Sequence, residues 1–164
     1  MEGLWLRSKW GERPSFPTEL GRIGSFTSLC GQFGALIEVR CQTEALVDDS
    51  RFKQLVEKIA RQVASQAPQY LFFEDIPGGI VEAEVASLRE VYLQEGKPER
   101  IAQRLAEGKA IRPLREMCLM EQELLDDRLK TVGCLIKETV GIVGEYIRIS
   151  RYSRYAFSGG VGKS

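Results

Sequence analysis

The stretch formed by residues 31–47 constrains the fold of this chain more than any other. It opens with Gly31 and Gly34, residues that allow a chain to reverse direction tightly. The apolar run 35–39 follows and is interrupted only by Glu38. Because two residues of this run are β-branched, the run predicts a β-strand. The strand would follow a turn and precede a polar region.

The polar residues beyond this strand predict a bend. The sequence Cys-Gln-Thr-Glu at 41–44 lies between the strand and a helix start. A bend held at both ends by regular structure presents a few side chains to a partner in a fixed arrangement. The alternative interpretation, an ordinary strand-to-helix loop, is the commoner occurrence, and the residues alone do not exclude it.

The segments on either side of this stretch have clear periodicity. Residues 22–29 alternate in polarity and, with a turn at 30–32, predict a β-hairpin with the strand 35–40. Downstream, residues 48–50 are of the type that caps helix N-termini, and Pro68 is expected to close the helix that they begin. Apolar residues in between recur at helical spacing and predict a core-facing stripe: Phe52, Leu55, Val56, Ile59 and Val63.

The second half of the chain predicts more helices and one more strand. Gly108 is expected to end one helix and Pro113 to begin a short one. The strand 146–155 alternates, which would place Ile149 on one face and Tyr152 on the other. The predicted helices are residues 80–94, 98–107, 113–120 and the stretch between Thr131 and Gly144, with an acidic loop at 121–127.

These elements together predict an α+β fold. A small antiparallel sheet, made of the N-terminal hairpin and the C-terminal strand, would pack with four to five helices, and the 50–67 helix would cover it. Residues 21–156 are expected to form the core domain. Residues 1–20 have no clear period and are predicted to be a poorly specified arm, and residues 157–164 a flexible glycine-rich tail.

Composition excludes several classes of function. The chain has no histidine, which removes imidazole-based catalysis and the commonest metal ligand. Its four cysteines lack Cys-x-x-Cys spacing, so we expect reduced, mostly buried thiols rather than a metal site. No catalytic constellation is present, and neither enzyme activity nor a cofactor is predicted. No apolar run approaches the length of a membrane span.

The charges do not favour nucleic acid as a partner. Lys plus Arg and Asp plus Glu both number 23, so no overall field would recruit a polyanion. The strand 146–155 does interleave tyrosines with Arg148, Arg151 and Arg154, a pattern compatible with RNA binding. A solvated sheet face is the preferred interpretation, and direct nucleic-acid binding is not expected.

The residues described so far resemble a known family, elongation factor Ts, the guanine-nucleotide exchange factor of elongation factor Tu. The resemblance runs from about Gly21 to Tyr155 and rests on several spaced motifs in the same order. The motifs are Glu38-Val39-x-Cys41-x-Thr43, Phe52-x-x-Leu55-x-x-x-Ile59-Ala60, Pro68-x-Tyr70-Leu71, Glu95-Gly96-Lys97-Pro98-Glu99-x-Ile101, Glu107-Gly108-Lys109, Cys118-Leu119-Met120-Glu121-Gln122, Lys130-Thr131-Val132 and Gly144-Glu145.

The resemblance implies a partner-binding segment, and the chain departs from the family there. Family members carry Asn-Cys-Glu-Thr-Asp-Phe-Val, where the aromatic ring inserts into the GTPase domain of elongation factor Tu and loosens its magnesium and phosphate site. Here Glu44 keeps the acidic charge, Ala45 removes the ring, and Leu46 is the one neighbour that would substitute for it. The implied partner-binding residues are Cys41, Thr43, Glu44, Ala45 and Leu46.

The resemblance leaves two functions open. One is binding of elongation factor Tu in its GDP form and promotion of GDP/GTP exchange. The other is a diverged, non-exchanging paralogue that acts as a binding module. The similarity covers the core, dimerisation part of the family without its N-terminal three-helix module, so a homodimer is an open alternative. A bacterial cytoplasmic location is expected, with an organelle as the alternative.

Overall fold

A computed structural model describes residues 20–157 of the chain. The predicted N-terminal arm up to residue 19 and the glycine-rich tail after Phe157 therefore lie outside the described residues. The described residues divide into two compact units, one formed by residues 68–122 and the other by residues 20–67 together with 123–157. The predicted core domain thus comprises both units, which are described separately below.

The first unit described, residues 20–67 with 123–157, is built on an antiparallel sheet with the order β1-β2-β3. The strands are β1 (Gly21–Thr27), β2 (Phe33–Arg40) and β3 (Arg148–Ala156). The hairpin and the neighbouring C-terminal strand are as the sequence predicted. Gly31 adopts a φ of 68° in the β1–β2 turn, a conformation that favours glycine.

A β-bulge interrupts the pairing of β3 with β2 opposite Glu38 and Val39. Ser150 is the extra residue on β3, and an extra residue resets the alternation of side chains. Ile149 and Tyr152 consequently pair with β2 residues that are two positions apart, and they lie on the same face. Our prediction that these two side chains point to opposite faces is therefore wrong.

The arginines of β3 do not form one solvated face. Arg151 donates to the Oε2 atom of Glu38 at 2.7 Å, on the side of the sheet away from the core. Arg154 points to the other side, where its Nε donates to the carbonyl of Ala64 at 2.8 Å. Both residues lie beyond the bulge and are three positions apart, so strand alternation places them on opposite faces, and the interpretation of the strand as a single basic face is corrected accordingly.

Helix α2 (Ser50–Gln66) covers one face of the sheet. The short helix α1 (Glu44–Asp48) contacts β1 and α2, and α5 (Val132–Val143) packs against α2. The predicted apolar stripe of α2 is buried, as are Ile37 and Val39 of the central strand, which confirms that this helix covers the sheet. Thr131 caps α5 by accepting a hydrogen bond from the Cys134 amide, and Gly144 ends it at a φ of 74°.

The unit formed by residues 68–122 is a helical hairpin of α3 (Gly78–Gln94) and α4 (Glu99–Glu116), with one-turn 3-10 helices at Phe73–Asp75 and Leu119–Glu121. The predicted helix end at Gly108 and the separate helix starting at Pro113 are wrong, because α4 runs through both residues. Every fourth residue of α4 is buried, and this continuous packing outweighs the local helix-breaking tendencies: Ala102, Ala106, Ala110 and Leu114.

Within residues 20–157, no helix combines the length and the apolar character that a membrane span requires.

Candidate functional site

The 41–46 segment, which leaves the end of β2 and includes the first three residues of α1, is fixed at its first residue. The backbone N–H of Cys41 donates to the carbonyl of Leu20 at 3.1 Å, which extends the β1–β2 ladder by one bond. The Cys41 side chain is fully buried. Burial and the negative charge of Glu145 both raise the pKa of its thiol, so Cys41 remains protonated and serves as a packing residue rather than a nucleophile.

A short helix, not an open bend, forms the second half of the segment. Thr43 is its N-cap, and its Oγ1 accepts a hydrogen bond from the Leu46 amide at 3.3 Å. A capping hydroxyl of this kind satisfies one of the free N–H groups at a helix start. The polar residues at 41–44 predicted the change of direction, but α1 itself, Glu44–Asp48, was not predicted.

The structure divides the five candidate residues into two groups. Thr43, Glu44 and Ala45 are exposed to solvent. Cys41 and Leu46 are buried, with 0% and 4% of their surface exposed, and support the segment from inside. Leu46 therefore does not present its side chain in place of the aromatic ring that the family carries one position earlier.

Two contacts tie the segment to the loop that follows α5. The Thr43 hydroxyl donates to Oε1 of Glu145 at 2.7 Å. The backbone N–H of Tyr146 donates to Oε1 of Gln42 at 3.1 Å. Sequence reasoning missed these contacts, because no local pattern pairs residues that are about 100 positions apart. Glu145 carried one available signal, its place in the Gly144-Glu145 motif.

Helix α1, which contains the second half of the segment, ends at the residue that caps the next helix. Asp49 caps α2 and accepts from the backbone N–H of Arg51 at 2.8 Å. The Arg51 guanidinium also pairs with this carboxylate and, with the backbone bond, lowers the pKa of Asp49 to about 2. Both helix caps are thus formed, and the exposed side chains of Glu44 and Ala45 lie on a segment held at each end.

Residues 20–157 contain no cluster of three or more cysteine, aspartate or glutamate side chains placed to hold a metal ion. The segment exposes one acidic side chain, Glu44, between Thr43 and Ala45, which are also exposed.

Comparison with known proteins identifies the family. The family model described as "Elongation factor TS" matches residues 17–158, which is most of the chain. The chain belongs to the elongation factor Ts family. This match includes the whole 41–46 segment and the 144–146 loop that contacts it.

Individual relatives agree with this assignment. The elongation factor Ts of Solidesulfovibrio magneticus is 33% identical over 93% of this chain and 78% of its own length. That of Syntrophomonas wolfei is 36% identical over 87% of this chain and 67% of its own length. That of Geobacter sulfurreducens is 34% identical over 99% of this chain and 74% of its own length. An elongation factor Ts-like role in translation follows from these similarities.

Proposed function

We propose that this elongation factor Ts family member binds elongation factor Tu in its GDP form and accelerates the exchange of GDP for GTP. The observation that carries the proposal is the 41–46 segment, because it lies within the family match and exposes Glu44 on a short helix whose start is capped. The residues proposed to contact the partner directly are Thr43, Glu44 and Ala45. Cys41 and Leu46 contribute by holding the segment in place.

Exchange of this kind requires no covalent chemistry. A protein that binds the nucleotide-free state of a GTPase more tightly than the GDP state lowers the affinity for GDP by the same coupling free energy. The proposed contribution of Glu44 is electrostatic, since its carboxylate lies at the N-terminal turn of α1 and points to solvent. Its side chain is one methylene longer than that of the family's aspartate.

Ala45 favours a second candidate, a protein that binds elongation factor Tu without opening its nucleotide site. Truncation of an anchoring aromatic residue at an interface commonly costs about 2 kcal/mol or more. Ala45 is exposed and Leu46 is buried, so no neighbouring side chain of the segment supplies the missing ring. Binding would then rest on the remaining surface, and the protein would act as an interaction module.

One pair of measurements separates the two candidates. Release of labelled GDP from elongation factor Tu of the same organism is followed with and without this chain, and complex formation is measured calorimetrically on the same samples. Acceleration of release supports exchange. Complex formation without acceleration supports the binding module, and the absence of both contradicts the proposed partner. The bacterial relatives support the further proposal that the protein acts in the cytoplasm.

A further inference from the structure

We propose that Glu145 is a positioning residue for the 41–46 segment, acting through the hydroxyl of Thr43. This inference rests on the proposed function as far as its effect on exchange is concerned, whereas its effect on the segment is a property of the free chain. Glu145 follows Gly144, the residue that ends α5, and therefore enters the site from a different element than the segment itself.

The hydrogen bonds at Thr43 have a defined direction. A hydroxyl has one hydrogen to donate, and an ionised carboxylate accepts only. The short contact of 2.7 Å to Glu145 therefore takes the Thr43 hydrogen. The lone pairs of the same oxygen then face the Leu46 amide, which donates to it at 3.3 Å.

This chain of donors and acceptors links Glu145 to the start of α1. Polarisation by the carboxylate makes the Thr43 oxygen a better acceptor for the Leu46 amide. It also selects the side-chain rotamer in which Thr43 caps the helix. The bond from Tyr146 to Gln42 holds the preceding residue from the same loop, so two successive residues of the segment are fixed by residues 145 and 146.

The geometry of α1 explains why the exposed side chains depend on this cap. The helix is five residues long, and its second and third residues are Ala45 and Leu46. A helix of this length is too short to be stable without its cap. Loss of the Thr43 rotamer would therefore release Glu44 and Ala45 from their fixed directions.

The test combines a measurement on the free chain with one on exchange. Glu145→Ala should accelerate hydrogen exchange at the Leu46 amide about tenfold, the scale of one charge-assisted hydrogen bond. Glu145→Gln keeps an acceptor at the same position and should restore most of the protection. Glu138→Ala is the matched control, because this α5 carboxylate pairs with Lys130 instead. An unchanged hydrogen-exchange rate at the Leu46 amide in Glu145→Ala would overturn the inference.

The exchange measurement uses GDP release from elongation factor Tu at saturating concentrations of each variant. Glu145→Ala and Thr43→Ala should each reduce the rate about five- to tenfold, and the double variant should be no slower than Thr43→Ala, since both act through one hydroxyl. Additive losses would overturn the inference. Failure of the unaltered chain to accelerate GDP release would contradict the proposed function instead. The hydrogen-exchange rate of the Leu46 amide would still show whether Glu145 positions the segment.

Discussion

Gly24 of β1 lies directly against Val56 of α2. A Cβ atom built at Gly24 would be 2.3 Å from the Val56 Cγ1 atom and 3.2 Å from its carbonyl oxygen. Helix α2 therefore reaches the sheet closely at this point because residue 24 has no side chain. This contact is part of the packing that fixes α2. The N-terminal cap of α2 in turn marks the end of the chain that leads from the 41–46 segment.

Gly24→Ala should lower the free energy of unfolding by about 1–3 kcal/mol, the range found when extra carbon atoms are forced into a packed core. Gly108→Ala is the matched control, because a Cβ there meets no atom within 4 Å and lies inside α4. That variant should gain about 0.5–1 kcal/mol, since alanine favours a helix over glycine. Chemical denaturation measures the free energy of unfolding of both variants. Equal changes at the two positions would contradict the close packing of Gly24 against α2.

Acid should weaken the ion pairs of Glu38. Hydrogen bonds from Arg40 and Arg151 lower the pKa of the Glu38 carboxyl to about 2, from an ordinary value of 4.5. A lowered pKa in the folded state means that the contribution to stability is complete above pH 4.5 and is lost as the pH falls towards 2. Arg151 is largely exposed, so water screens the interaction and we expect a contribution of about 1 kcal/mol.

Glu38→Gln tests this expectation. The variant should be less stable than the unaltered chain near pH 6, and the difference should shrink as the pH is lowered from 4.5 to 2. Denaturation curves recorded across this window give the difference at each pH. A constant difference throughout would show that the charge of Glu38 does not stabilise the fold.

The cysteines should react in an order set by burial and pKa. Cys30 is exposed, and a hydrogen bond with Ser28 lowers the pKa of its thiol. Burial, with a smaller effect of nearby acids, raises the pKa of Cys118 to about 12. Alkylation of the native protein with iodoacetamide, followed by peptide mass spectrometry, should modify Cys30 first and leave Cys41 and Cys118 unmodified. Equal labelling of Cys118 and Cys30 would contradict the burial described here.

The sequence predicted those parts of the fold that depend on local patterns. The stripe of α2 from Phe52 to Val63 and the N-terminal caps of α2 and α5 follow from periodicity and from residue type, and the structure confirms them. The sequence also predicted that the C-terminal strand joins the hairpin in one sheet, but it did not predict which of the two hairpin edges the strand takes. These features need no knowledge of distant contacts.

The errors arose where distant packing overrides local preference. Gly108 and Pro113 are helix breakers by type, yet α4 continues because its buried alanines pack along its whole length. The bulge at Ser150 is invisible in the alternation of β3 and becomes evident only from pairing with β2. In the 41–46 segment, Glu44 and Ala45 are exposed and stay a prediction as partner-binding residues, whereas the burial of Leu46 and the contact of Glu145 with the segment were not predicted.

Glu44 is the one acidic residue of the 41–46 segment, and substitution tests its proposed role. Glu44→Ala should reduce whatever exchange activity the chain has, because it removes the carboxylate proposed to face the partner. Glu57→Ala is a suitable control, since Glu57 is an exposed carboxylate on α2, outside the segment. Rates of GDP release measured at several concentrations separate weaker binding from slower release. Equal rates for both variants would remove Glu44 from the proposed contact.

The most direct test of the proposed role for the segment is GDP release from elongation factor Tu by Ala45→Phe beside the unaltered chain. Ala45 is exposed, so a ring at this position can be presented without disturbing the core. We predict that Ala45→Phe raises the saturating rate of GDP release with a smaller gain in complex affinity, because part of the contact energy is used to distort the nucleotide site. A rate unchanged by the substitution, in a chain already as active as an aromatic-bearing relative, would show that the 41–46 segment is not the active element.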